Sequence, residues 1–254
     1  GLKCAEGIAK RVGGVTVVDL ADRILPAVLD IEGSKIIKEH IEKHGVSFKL
    51  SVKVDKFEGN EAVLSNGERV GFDILVIAIG VRPNVELLRG IAEINRGIVI
   101  DEGCKTTAED IYAAGDCTET VDISSGQRKI MALLPNAYMQ GECAGVNMAG
   151  GELSFSKAIP MNAAGFFGLH MITAGTYSGE CYTDTECGYK KLFYEGNRLT
   201  GYILIGNVEK AGIYTSLIRE KTPLDQIDFN LICKYPGLMA FSRSDRAAKL
   251  GGAQ

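Results

Sequence analysis

Apolar positions along the first eighty residues switch between a helical and a strand-like rhythm. Leu2, Ala5, Ile8 and Ala9 share one face of a helix, and Val15-Thr16-Val17-Val18 is a β-branched run closed by Asp19. Asp30 to His44 returns to the helical period, with Ile31, Ile36, Ile37 and Ile41 on the inward side and Gly45 as the stop. Val46 to Leu50 reads as a strand. The alternating runs Val52 to Phe57 and Glu61 to Leu64, with the turn Ser65-Asn66-Gly67-Glu68, predict a β-meander. A continuous apolar strand, Ile74 to Ile79, then ends at Gly80, and Arg82-Pro83-Asn84 reads as a loop and a domain boundary.

The second half carries the same alternation further. Arg96 to Asp101 is read as a strand, and polar Thr106 and Thr107 lead into a short apolar strand, Ile111 to Ala114, that ends at Gly115-Asp116. Val121 to Lys129 is a polar loop. Leu134-Pro135-Asn136-Ala137 opens a helix running to about Ala149, with Pro135 in its first turn and Gly141, Ala144, Gly145 and Ala149 as a small-residue face. Gly150-Gly151 marks a second boundary. Beyond it Phe166 to Tyr177, Tyr189 to Tyr194 and Leu199 to Ile205 are strands, the last two joined by the turn Glu195-Gly196-Asn197-Arg198. Helices follow at Glu209 to Glu220 and Leu224 to Asn230, and Arg243 to Gln254 is a polar, frayed tail.

A chain of 254 residues has room for one large or two to three small domains. A net charge of −4 gives no broad attraction for nucleic acid or an anionic membrane. The longest apolar run is too short to span a bilayer, and the N-terminus reads as a helix and not as a signal peptide, so a cytoplasmic protein is expected. The 7 cysteines form no CxxC and are expected to be free and mostly buried. His40 and His44, four positions apart on one helix, have a spacing that could bind a metal; without a third ligand they read as a solvated face, and His170 as structural.

Two features carry chemistry. Gly115 lets the backbone approach a ligand closely, and Asp116 offers oxygens to a pair of hydroxyls; the same residues also describe a turn with a solvated aspartate. The start of the helix at Leu134 presents unpaired N–H groups with partial positive charge, or is simply a core helix begun by a proline.

The order and spacing of Phe72 to Asn84, Thr106 to Cys117 and Ala132 to Gly141 resemble the flavoprotein pyridine nucleotide-disulfide oxidoreductase superfamily. The nearest branch is that of NADH oxidases, NADH:rubredoxin reductases and the flavin subunit of nitrite reductases, and the resemblance covers nearly the whole chain. It implies an α/β fold: Rossmann-like three-layer nucleotide-binding domains, incomplete, followed by an α+β interface domain. Residues 1–82 would be the NAD-binding domain without its first strand, 83–150 the C-terminal segment of the FAD-binding domain, and 151–254 the interface domain of a homodimer. Gly1 matches the third glycine of GxGxxG, so a piece of a longer enzyme is expected, one that alone holds FAD poorly and is inactive.

The same resemblance assigns roles by position. Asp19 would accept hydrogen bonds from the adenosine ribose hydroxyls and favour NAD over NADP, although it also fits a capping or loop aspartate. Gly80 would back the bound NAD. Gly115 and Asp116 would bind the ribityl chain of FAD. Leu134, Pro135 and the backbone near Ala137 would face the pyrimidine side of the flavin. The implied activity is hydride transfer from NADH to FAD and on to an acceptor: oxygen, a small redox protein or a disulfide. A non-catalytic dimerisation or docking module, or a reductase of coenzyme A disulfide or sulfur species, is the alternative.

No residue of this chain reads as a catalytic acid, base or nucleophile, and none as a metal ligand. The histidine–proline motif of the dithiol reductases is absent, and the single redox cysteine of other branches would lie outside this sequence. Many relatives place a glutamate where this chain has Lys3, and a lysine cannot accept the hydrogen bonds of a nicotinamide carboxamide.

Overall fold

Residues 1–242 are described by a computed structural model; the polar tail read at Arg243 to Gln254 lies outside the described residues. The chain divides into a unit of Gly1–Gly80 with Ala163–Met171, and a unit of Val81–Asn162 with the chain from Ile172 onward.

In the first unit, α1 (Leu2–Ile8) leads to β1 (Val15–Val18), which pairs in parallel with β2 (Val46–Lys49), Val15 opposite Val46. Between them lies α2 (Ile31–Glu42), where Asp30 Oδ1 accepts from Gly33 N at 2.9 Å and so caps the first turn. Ser34, Ile37 and Ile41, at helical spacing, are the buried face. Burying each isoleucine contributes about 1.5–3 kcal/mol. Ile31, expected inward, is instead 75 % exposed, because at the first helical position it lies off the Ser34–Ile41 stripe. The meander forms as read: β3 (Val54–Glu58), β4 (Glu61–Leu64) and β5 (Arg69–Gly71), with Gly67 at φ +83° in the tight turn and Arg69 paired to Glu58 and Glu61.

The expected strand Ile74 to Ile79 is not formed. The segment belongs to no sheet, and Ile79 is 94 % exposed. A strand exists only where a neighbour takes up its N–H and C=O groups, and among the described residues the parallel sheet of this unit consists of β1 and β2 alone.

The tip of a hairpin completes the unit. Phe167 and Gly168 turn the chain at φ +48° and +86°. Phe167 N donates to Glu6 Oε1 at 2.7 Å, its carbonyl lies 3.2 Å from His40 Nε2, and its ring stacks on His44 at 4.5 Å and 12°. Lys3 pairs with Glu6 and donates to Gly165 O at 2.7 Å. The Lys3 ammonium and the Phe167 N–H hold the Glu6 carboxyl below the usual range. The two histidines expected on a solvated face therefore clasp this turn.

In the second unit, β6 (Ile98–Val99) runs parallel to β7 (Thr118–Val121), and β8 (Arg128–Lys129) returns antiparallel to β7, so the loop read at Val121 to Lys129 is a hairpin. Its turn is built on Asp122, which accepts from Ser124 N, Ser124 Oγ, Ser125 Oγ and Lys129 Nζ at 2.6–2.9 Å. The helix α3 (Leu134–Met148) follows as expected. Of its proposed small-residue face Ala144 is buried in the core, while Gly141, Gly145 and Ala149 are exposed, with nothing near a Cβ built on either glycine.

A five-stranded sheet, ordered β11-β12-β13-β10-β9, uses β9 (Met161–Phe166), β10 (Leu169–Gly175), β11 (Glu180–Asp184), β12 (Gly188–Glu195) and β13 (Arg198–Gly206). The strand read as Phe166 to Tyr177 is thus a hairpin broken at its glycine, and β11 is an addition. Over it α4 (Ala211–Arg219) packs Tyr214, Leu217 and Ile218 against a core containing Leu192, Tyr202 and Leu204. Tyr214 donates to Ile232 O at 3.0 Å, and burial pushes its phenol well up. The helix read at Leu224 to Asn230 splits into a 3-10 turn, Leu224–Gln226, and α5 (Phe229–Lys234), capped by Asp228 Oδ1 on Leu231 N. Among the described residues no helix is long and apolar enough to cross a membrane.

Candidate functional site

The Gly115–Asp116 turn precedes a strand and does not end one. Ile111 to Ala114 makes only a single bridge, Tyr112 to Lys105, and the paired strand β7 begins at Thr118. Gly115 adopts φ +86°, the left-handed region that favours glycine, and a Cβ built on it would lie 3.6 Å from Ala137 Cβ. Its N–H donates to Gln140 Oε1 at 2.7 Å, and its carbonyl accepts from Thr118 N at 3.0 Å and Thr118 Oγ1 at 2.7 Å. Asp116 is exposed and makes no hydrogen bond or ion pair with any described residue, so both its oxygens are free to accept.

The same contacts bring α3 to this turn. Pro135 occupies the first helical turn and Leu133 is extended at φ −133°, with no side chain capping the end. The helix therefore begins with N–H groups that have no acceptor in the helix itself. Leu134 and Pro135 face outward, while Asn136 and Gln140 are buried, and Asn136 Nδ2 is an orphaned donor. Gly115 thus meets Ala137 and Gln140 of α3, while Asp116, Leu134 and Pro135 are exposed. Gln140, the residue that holds the turn against the helix, was missed. A polar residue recurring four positions after Asn136 on an otherwise apolar face was the available signal.

In the first unit, Gly1 caps α1, and a Cβ built on it would stand 3.5 Å from Ala78 Cβ, two residues before Gly80. Gly80 has φ +95° with open space around it. Asp19 lies at the carboxyl end of β1, its N–H on Lys49 O at 3.0 Å and its Oδ1 accepting from Ala21 N at 2.9 Å; it is exposed. Lys3, whose position a carboxylate takes in many relatives, is turned to Glu6 and Gly165 O.

These features suit the two cofactors the sequence implies. A glycine cradle with a free carboxylate and an uncapped helix start fits a polyol chain ending in an electron-rich ring. A glycine-started helix with an exposed acid at the end of the next strand fits a nucleotide ribose. All 7 cysteines are free: Cys104, Cys143 and Cys233 are buried, Cys117 is half-buried, and Cys4, Cys181 and Cys187 are exposed. The expectation of mostly buried thiols fails for the exposed three, which sit on α1, on β11 and in the loop after it.

Residues 1–141 match the model of the family described as pyridine nucleotide-disulphide oxidoreductase, and residues 160–222 match that of the rubredoxin NAD+ reductase C-terminal domain. The chain is 30% identical to the epsilon subunit of NADH-dependent phenylglyoxylate dehydrogenase of Aromatoleum evansii, over 88% of this chain and 56% of that protein. It is 36% identical to an NADH oxidase of Methanocaldococcus jannaschii, over 61% of this chain and 36% of that protein. The structure of an NAD-dependent persulfide reductase from A. fulgidus superposes with a TM-score of 0.79 at 27% identity, over 89% of this chain and 48% of that one. The chain spans about half the length, or less, of the curated relatives it matches.

Proposed function

The chain belongs to the pyridine nucleotide-disulphide oxidoreductase family, and from that premise we propose that it forms the NADH-binding and flavin-tuning part of an enzyme passing hydride from NADH to FAD and electrons on to an acceptor. Proteins of this family use FAD and a nicotinamide nucleotide. The bound flavin supplies the two-electron chemistry, and the protein orients and tunes it. The observation that carries the reading is the approach of Gly115 to Ala137, with Gln140 Oε1 on Gly115 N. It sets a free carboxylate beside a helix start whose N–H groups favour negative charge.

In this reading Asp116 accepts the ribityl hydroxyls, and the backbone at Leu134, Pro135 and Ala137 faces the pyrimidine edge of the flavin. Gly1 and Gly80 let the nicotinamide nucleotide approach. Asp19 accepts the adenosine ribose hydroxyls and repels a 2′-phosphate. Lys3 is occupied by the hairpin tip and does not serve the nicotinamide. Residues 1–82, 83–150 and 151–254 serve as NAD-binding, FAD-contacting and interface segments of a cytoplasmic homodimer. The acceptor is a small redox protein, oxygen, or a disulfide or sulfur species.

The test is the flavin content of the full polypeptide that carries this sequence. It is expected to purify with FAD, and Asp116→Ala to lose most of it while keeping its circular dichroism. Full flavin retention by Asp116→Ala would overturn the assignment.

A further inference from the structure

An open groove of about 360 Å³ lies in the second unit, between the loop after β6 and the segment after α3. One wall carries Lys105 and Tyr112, the other Glu152, Leu153 and Ser154. Both walls are braced. Asn147, near the end of α3, ties them together: Nδ2 donates to Gly103 O at 2.9 Å and to Leu153 O at 2.8 Å, and Oδ1 accepts from Leu153 N at 2.7 Å. A second tie forms at Glu102, whose carbonyl accepts from Phe155 N at 2.7 Å and whose Oε2 accepts from Ser154 Oγ at 3.1 Å. The loop itself is held by Asp101 Oδ1, which accepts from Gly103 N and Lys105 N, both at 2.8 Å. A Cβ built on Gly151 would stand 2.7 Å from Val146 Cγ1, so the chain passes too close to α3 for a side chain there.

The two walls offer opposite charges. The Lys105 ammonium stands 5.8 Å from the centre of the Tyr112 ring and makes no ion pair with any described residue. Glu152 is exposed and makes no hydrogen bond or ion pair with any described residue. Leu153, 41 % exposed, adds an apolar surface. Three ligand classes fail on these terms. A nucleotide or other polyanion would bring its charge against Glu152 and Glu102. A metal ion finds no group of three ligating side chains among the described residues. A neutral apolar solute would take water from Lys105 and Glu152 without replacing it. A zwitterion satisfies both charges.

We propose that this groove binds a free α-amino acid with a large apolar side chain. Lys105 takes the carboxylate, Glu152 takes the ammonium, and the side chain covers Leu153 beside the Tyr112 ring. Both charged contacts stay near water, so the affinity is modest, with a Kd on the order of 0.1–1 mM. Lys105, Tyr112 and Glu152 lie outside the flavin and nucleotide residues assigned above, so binding requires neither cofactor.

The experiment titrates the full chain with L-phenylalanine and follows saturation transfer from protein to ligand protons by NMR. Saturable binding is expected, weakened at least ~3-fold by Lys105→Gln and by Glu152→Gln. Both side chains are exposed, so the two variants should keep the circular dichroism of the unaltered chain. N-acetyl-L-phenylalanine lacks the ammonium and L-phenylalanine amide lacks the carboxylate; each should bind at least ~3-fold more weakly, as should glycine, which has no side chain to cover Leu153. The proposal is overturned if no saturation appears by about 10 mM ligand, or if either folded variant binds L-phenylalanine as tightly as the unaltered chain. It is equally overturned if the acetylated and amidated forms bind as well as the free amino acid.

Discussion

Gln140 is the hinge between the Gly115–Asp116 turn and α3, the place proposed for the flavin, and its replacement by leucine gives a sharp expectation. Gln140 is 3 % exposed, and its Oε1 takes Gly115 N at 2.7 Å and faces Thr118 Oγ1 at 3.0 Å. The Thr118 hydroxyl has a second acceptor, Gly115 O at 2.7 Å, so its hydrogen does not depend on Gln140. Gln140→Leu keeps the volume and orphans one donor, Gly115 N, in a part-buried place. An unsatisfied buried donor costs about 1–3 kcal/mol, to be read as a lower urea midpoint by far-UV circular dichroism. The Gly115–Asp116 turn would then need re-ordering on binding, at about 1–2 kcal/mol for one residue's backbone, or roughly 5–30-fold in FAD affinity of the flavoprotein. Gln140→Glu retains an acceptor oxygen and should lose less of both. A leucine variant with unchanged midpoint and unchanged flavin retention would refute the reasoning.

Other outcomes follow from neighbouring contacts. Burial pushes the Asp122 carboxyl up, but hydrogen bonds from Ser124 Oγ, Lys129, Ser125 Oγ and Ser124 N outweigh it and leave it below its ordinary 3.8. That stability is fully present above the unfolded value and is lost as pH falls through the folded one, so Asp122→Asn should flatten the acid-unfolding limb below pH ~4; an unchanged limb counts against the network. Phe167→Ala should remove the stack on His44, worth about 0.5–1.5 kcal/mol, and raise amide exchange at the hairpin tip, while equal exchange would place the clasp elsewhere. The exposed run Ile74 to Ile79 should drive self-association of the chain at micromolar concentration, and Ile77→Lys with Ile79→Lys should reduce it in analytical ultracentrifugation.

What the sequence revealed follows its physics. The helix of α2, the Asn66-Gly67 turn and the β12–β13 hairpin are local signals that need no distant partner, and each forms as read. Ile74 to Ile79 and Ile111 to Ala114 carry strand composition, yet pairing is non-local, and the described residues supply the first with no neighbour and the second with one bridge. The Gly115–Asp116 turn and the start of α3 were legible as local elements because glycine, acid and a proline-started helix are punctuation. Gln140 was hidden because a buried glutamine looks like any helix glutamine until its acceptor is seen on Gly115 N. The clasp of His40 and His44 on Phe167 was equally invisible, since it joins positions more than a hundred residues apart.

The central claim is that this chain presents NADH to a flavin held at Gly115–Asp116, with Asp19 choosing NAD over NADP. The most direct measurement is the absorbance spectrum of the full polypeptide carrying this sequence, before and after anaerobic NADH and, separately, NADPH. The account predicts a yellow protein bleached by NADH and not by NADPH, with the preference reduced at least ~10-fold in Asp19→Ser. A colourless protein that takes up no FAD, or a yellow one that both nucleotides bleach alike, would contradict it.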